Sequence, residues 1–157
     1  METYQTYQIF LCSSIVEFEQ ERLILHDYIQ KLSRITKAAR STSLILRKCE
    51  NMDNRLELDG KQNFYNQEII RSELVVFLFG EKAGSYTLEE LDIAAGAFGE
   101  DRSRRICVLC TKDPYHSEEA SLKELAGRLD KYRLRFALFS HMDTIKLHIL
   151  TRLMEQL

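Results

Sequence analysis

Proline occurs once in this 157-residue chain, glycine six times and tryptophan not at all. A chain so poor in proline and glycine is neither collagen-like nor a low-complexity linker. An excess of one charge is also missing: 22 Lys and Arg against 24 Asp and Glu leave a net charge of -2, so no overall field draws a nucleic acid. The densest basic run, Arg102, Arg104 and Arg105, stands just before an apolar stretch and reads as a solvated loop at a strand's start. No stretch approaches the ~20 apolar residues of a membrane-crossing helix. The first eight residues lack the basic-then-apolar order of a signal peptide. The expectation is a cytoplasmic protein with neither membrane nor nucleic acid as partner.

Cysteine is sparse too. Cys12, Cys49, Cys107 and Cys110 lie mostly in or beside apolar runs, where a thiol packs as a small hydrophobe. Cys107 and Cys110 have the gap of a metal motif, but they lie within one continuous apolar run. No second pair follows, and His26, His116, His141 and His148 are scattered; no metal site is expected.

What is present is ordinary globular material, 45% apolar and 29% charged. The length suits one domain over 1–157. The chain stops soon after its last helical stretch, as a module of a longer protein would, an N-terminal one for instance.

Five short apolar runs recur: Gln8–Cys12, Ser43–Leu46, Leu74–Phe79, Ile106–Cys110 and Arg135–Phe139. They lack strict alternation, as strands covered on both faces by helices do. Between them lie stretches of helical spacing. The first runs from Ile15 to about Lys37, with Phe18, Leu25, Ile29 and Leu32 on one stripe and Ser14 with Glu17 as a capping box. The second, about Asn63–Ser72, follows an Asp59-Gly60 turn and buries Tyr65 and Ile69. Leu88, Leu91, Ala95 and Phe98 mark the third. Leu122, Leu125 and Leu129 mark the fourth, after Pro114, and Ile145, Ile149 and Leu153 the last. Such alternation predicts a three-layer α/β fold with a five-stranded parallel sheet in the flavodoxin-like order 2-1-3-4-5. The crevice of that sheet opens beyond the carboxyl ends of strands 1 and 3, where Ser13, Ser14 and Gly80–Tyr86 fall.

Several chemistries of this architecture lack their residues. Ser13-Ser14-Ile15-Val16-Glu17 has no glycine to cradle a dinucleotide or a triphosphate, nor the Gly- and Thr-rich loop of a flavodoxin. Strand 3 ends Phe79-Gly80, without a phosphoacceptor aspartate, and no G-x-S-x-G occurs. What remains is Gly80-Glu-Lys-Ala-Gly84-Ser85-Tyr86-Thr87-Leu-Glu89-Glu90, a loop running into a helix beside the crevice. Glu90 is placed in the first helical turn, with Ala94 leaving room above its carboxylate. Thr87-x-x-Glu90 reads equally as a capping box.

Phe10-Leu-Cys-Ser13-Ser14 with Glu21-Arg22, Ser72-Glu-Leu-Val-Val-Phe-Leu-Phe-Gly80, and Gly84-Ser-Tyr-Thr-Leu-Glu-Glu90-Leu-Asp-Ile-Ala94 resemble the TIR-like bacterial family known as domain of unknown function 4062. The likeness spans roughly Ile9–Cys110, and Glu50 at the end of strand 2 fits a family position. That family is similar to TIR domains and to nucleoside deoxyribosyltransferases, which share a glutamate and, four residues on, a small residue, here Glu90 and Ala94. The chain departs from both. Tyr86 supplies the aromatic of a TIR NADase, but Thr87 replaces its usual cysteine, and Gly84 stands where the deoxyribosyltransferases carry an aspartate.

The resemblance implies a TIR-like domain that hydrolyses or cyclises NAD, with Glu90 as its essential carboxylate. Ser13, Ser14, Glu50, Gly80, Gly84, Ser85, Tyr86 and Thr87 would then shape the substrate pocket. NAD is the substrate here, and no cofactor is implied. Breaking the ribosyl bond to nicotinamide expels a neutral base from a cation, so one carboxylate suffices without a general acid. The rival from another class is a non-enzymatic, self-associating signalling module. A nucleoside deoxyribosyltransferase-like enzyme is the third reading. Under the first, the domain is an effector in bacterial defence or signalling that works when assembled.

Overall fold

The computed structural model describes residues 4–48 and 59–157. In chain order the elements are β1 (Gln5–Ser13), α1 (Glu19–Arg40), β2 (Thr42–Lys48), α2 (Asp59–Arg71), β3 (Leu74–Phe79), α3 (Ser85–Phe98), the single-turn α4 (Arg102–Arg105), β4 (Ile106–Cys110), α5 (Ala120–Tyr132), β5 (Phe136–Leu138) and α6 (Met142–Gln156). The strands form one all-parallel sheet in the order β2-β1-β3-β4-β5, as the alternation predicts. Cys12 sits opposite Phe77, and Val76 opposite Cys107. β1 is flanked by β2 and β3, so the winding reverses there and the carboxyl ends of β1 and β3 part to make a crevice.

Strand side chains alternate between two cores. Ile9, Leu11, Val76, Leu78 and Leu109 meet Leu25 and Ile29 of α1 and Ile145, Ile149 and Leu153 of α6. Phe10, Val75, Phe77, Phe79 and Val108 meet Ile69 of α2, Leu88 and Leu91 of α3 and Leu122 and Leu125 of α5. All six residues of β3 are buried, and each large one contributes ~1.5 to 3 kcal/mol against leaving it in water. Cys107 faces the first core and Cys110 the second. Their thiols therefore point to opposite sides of β4 and share no ligand position. Burial raises them to about 11 and about 12.

Several boundaries differ from expectation, β1 for one starting at Gln5 rather than Gln8. α1 begins at Glu19 rather than Ile15, because residues 15–18 form a turn in which Phe18 N–H donates to Ser14 O at 3.2 Å. It continues three residues past Lys37 and ends where Ser41 turns left-handed (φ 51°) and donates to Thr36 O. The Asp59-Gly60 pair, expected as a turn, opens α2. An aspartate favours a helix N-terminus, and glycine costs a helix only about 1 kcal/mol. β5 shortens at both ends to three residues at the sheet edge.

The basic run is also more than solvated loop. Arg102 and Arg105 lie in α4, where Arg102 Nε donates to Ala95 O and Arg105 Nη2 to Ser72 O, both at 2.6 Å. Among the described residues no helix is long and apolar enough to cross a membrane.

Candidate functional site

The crevice is bounded by the two junctions at which β1 and β3 hand over to helices. At the first, Ser13 is buried at the end of β1 and accepts a hydrogen bond from Arg22 Nη1 at 3.2 Å. Ser14 Oγ accepts from Glu17 N–H at 3.3 Å, which is half of the expected capping box. The other half is not formed. Glu17 instead crosses to the second junction, where its carboxylate accepts from Glu81 N–H at 3.0 Å. It lies so close over Gly80 that a Cβ there would stand 1.6 Å from Glu17 Oε1. Gly80 thus serves this crossing and is not part of the cavity wall.

At the second junction Gly84 is the N-cap of α3, with extended backbone and no side chain to offer. Ala83 N–H donates to Ser121 Oγ at 2.9 Å, holding the loop against α5. Asp92 on the same helix accepts from Arg128 Nε at 3.1 Å and from the Tyr132 hydroxyl at 2.6 Å, fixing α3 along its length. Between the junctions lies a cavity of about 230 Å³ lined by Ser13, Ser14, Ile15, Gly84, Ser85, Tyr86 and Thr87. Six expected pocket residues, from the end of β1, the turn after it and the start of α3, meet there. Glu50 lies outside the described residues.

Glu90 departs from expectation in depth. The helix starts at Ser85, so Glu90 is in the second turn and Thr87 is already inside the helix; neither is placed to form a capping box. Glu90 is 1% exposed and is not among the residues lining the cavity. It stands one turn deeper than Tyr86 and Thr87, at the i+4 and i+3 positions that share a helix face. Tyr86, by contrast, is 39% exposed at the mouth.

Reading the sequence missed a second cavity. Ile15, Glu19, Arg22, Leu23 and Lys48 line a space of about 260 Å³ beside the first, with Ile15 common to both. A signal was available: Arg22 falls on the stripe of Phe18, Leu25 and Ile29, where an apolar residue belongs.

Fold and crevice together define a doubly wound α/β domain with a small polar-rimmed pocket at its switch point. No known family's sequence profile matches the chain, and no curated protein matches it. Among solved structures it is similar to the CMP N-glycosidase BcmB of Clostridium botulinum, at 11% identity and a TM-score of 0.52, over 90% of this chain and 96% of that one. At that identity the likeness bears on architecture alone.

Proposed function

We propose that the chain is an N-glycosidase of nucleotides, and specifically a TIR-like NAD glycohydrolase or cyclase of the domain of unknown function 4062 type, active when assembled. The observation that carries this reading is α3 itself. It starts at the carboxyl edge of the sheet, puts Tyr86 and Thr87 on the cavity wall and places the Glu90 carboxylate one turn behind them, shielded from water. In such surroundings a fixed carboxylate interacts strongly with the positive charge that grows on a ribose as its N-glycosidic bond breaks. Nicotinamide leaves with the bonding electron pair as a neutral base. Water then adds to the anomeric carbon and releases a proton, giving ADP-ribose; attack by the adenine of the same molecule gives the cyclic product. Tyr86 stacks on an aromatic ring at the mouth. Because Glu90 does not line the cavity, the entering ribose must displace Tyr86 and Thr87 side chains to reach it. The similar architecture of a protein named as a nucleotide N-glycosidase supports the reading.

The test is nicotinamide release from NAD by concentrated or artificially clustered protein. Wild type releases it, while Glu90→Gln and Glu90→Ala lose at least about a hundredfold in turnover, the scale of one preorganised electrostatic group. Clustered wild type that releases no nicotinamide removes the reading. The other reading, a non-enzymatic assembly module, is favoured by an apolar groove of about 220 Å³ between α1 and α6, at which Ile35 and Met154 stand exposed. Inert wild type that self-associates in light scattering, and that an Ile35→Asp change makes monomeric, supports it.

A further inference from the structure

The glycosidase reading leaves one set of basic side chains unused. A further cavity, of about 240 Å³, lies where the first halves of β4 and β5 meet α6, with Cys107 and Val108 in its floor and Arg135, His148 and Arg152 in its walls. It shares no lining residue with the crevice cavity. His148 and Arg152 stand four residues apart on α6 and so share a face, while Arg135 comes from the residue just before β5. Apart from the buried Cys107 thiol, every ionisable group in that lining is basic. Elsewhere the chain pairs its charges, Arg128 with Asp92, Lys112 with Glu81 and Lys31 with Asp27. Among the described residues no carboxylate pairs with Arg135, His148 or Arg152. Arg152 gives Nη1 to Ser103 O, whereas Arg135 and His148 make no hydrogen bond with any described residue. Arg102 and Arg105 differ, since main-chain carbonyls engage them. The floor registers the same charge: burial raises the Cys107 thiol, and the charge opposing that rise is the Arg152 guanidinium.

We infer that the cavity of Arg135, His148 and Arg152 binds a phosphoryl dianion, at a site separate from the crevice. Its size selects the class of ligand. A site that encloses a whole small molecule takes ~300 to 1,000 Å³, so about 240 Å³ suits a compact oxyanion better than a nucleotide. Charge narrows it further. Two guanidiniums without a counter-ion match the two charges of a phosphate, which a carboxylate would half satisfy. A guanidinium also presents a planar fork of N–H donors that takes phosphate oxygens in pairs, and the imidazole adds an N–H in either protonation state. The occupant is free phosphate or the terminal phosphate of a larger molecule whose remainder stays outside. The site goes beyond the glycosidase reading and would stand without it.

The experiment is calorimetric titration of the full chain with inorganic phosphate, methyl phosphate and acetate in about 0.1 M chloride, where a Debye length of about 10 Å screens diffuse attraction. Wild type binds inorganic phosphate with a Kd of about 1 mM or tighter, and acetate at least about tenfold more weakly. Arg135→Gln, at an exposed position, weakens phosphate binding at least about tenfold, the worth of one charge-assisted hydrogen bond, and leaves the urea midpoint unchanged. Arg152→Gln does the same where thermal unfolding shows it folded, and Arg152→Lys restores part of the affinity. Lys123→Gln, which removes an exposed cation from α5 on the opposite face of the sheet, changes nothing. In proton NMR the His148 ring signals shift as phosphate is added, while those of the exposed His116 hold still. Methyl phosphate that binds as well as inorganic phosphate supports the site with a larger phosphorylated molecule as its source, and binding of inorganic phosphate alone supports it with the free ion. No binding, acetate bound as tightly as phosphate, an equal loss in Lys123→Gln, full affinity in Arg135→Gln or an unmoved His148 signal overturns it.

Discussion

The two edges of the sheet use similar polar residues to different ends. At the amino edge Arg102 and Arg105 donate to the carbonyls of Ala95 and Ser72, Gln156 Nε2 to Arg104 O at 3.0 Å, and Gln8 Nε2 to Ser72 Oγ at 3.0 Å. Arg152 Nη1 also donates to Ser103 O. Most of these partners are carbonyls at or just past helix ends, where N–H donors within the helix run out. At the carboxyl edge Ser13, Ser14, Arg22, Tyr86 and Thr87 surround cavities instead. Donors given to the main chain close a structure, while donors arrayed around a void prepare a site. The comparison marks the carboxyl edge as the candidate site without appeal to any relative.

The largest test of that contrast is Arg105→Ala. It removes the hydrogen bond to Ser72 O and the guanidinium resting 3.8 Å from the Phe98 ring centroid, and should cost about 2 kcal/mol in urea denaturation. AMP affinity of the folded protein stays as it was; a loss of affinity without a loss of stability would break the contrast. Tyr86→Ala is the converse. It weakens nucleotide binding by about fivefold, near 1 kcal/mol of lost stacking, with stability within about 0.5 kcal/mol of wild type.

Alkaline pH marks where the site gives way to the core. The folded thiols of Cys107 and Cys110 sit at about 11 and about 12 because they are buried, above the ~8.5 of an exposed cysteine. The native state then holds protons that the unfolded chain releases. Stability contributed by the neutral thiols is full below pH ~8.5 and declines as pH rises toward 11, by at most about 1.4 kcal/mol per pH unit for each thiol. Buried Tyr7, whose hydroxyl is likewise pushed up by desolvation, adds to the slope only above pH ~10. Urea midpoints measured from pH 8 to 11 check this, and a flat profile contradicts it. The native thiols of Cys107 and Cys110 should also resist alkylation at pH 8.

Periodicity was enough for the architecture. Leu74–Phe79 reads as a doubly covered strand and is one, and the stripes Leu122-Leu125-Leu129 and Ile145-Ile149-Leu153 face the cores they imply. What it could not carry was position along an axis. Glu90 has the right helix face, but its depth depends on where α3 starts, and Gly84 rather than Thr87 caps that helix. Glu17 has the spacing of a capping box, yet its carboxylate finds a partner 64 residues away. Arg102 and Arg105 look like surface charge because their acceptors, Ala95 O and Ser72 O, belong to the main chain, which side-chain patterns do not reveal. Arg22 entered only as part of a family-like motif, and its burial went unread because a stripe is scored by its apolar members.

The strap from Glu17 to Glu81 N–H ties the two junctions together above Gly80. It sets the gauge of the cleft like a single stitch across a seam. One solvent-accessible hydrogen bond of this kind is worth about 1 kcal/mol, so a bulky guest needs little to part the lips. Adding a methyl at Gly80 would cut the stitch from beneath and leave the cleft permanently slack.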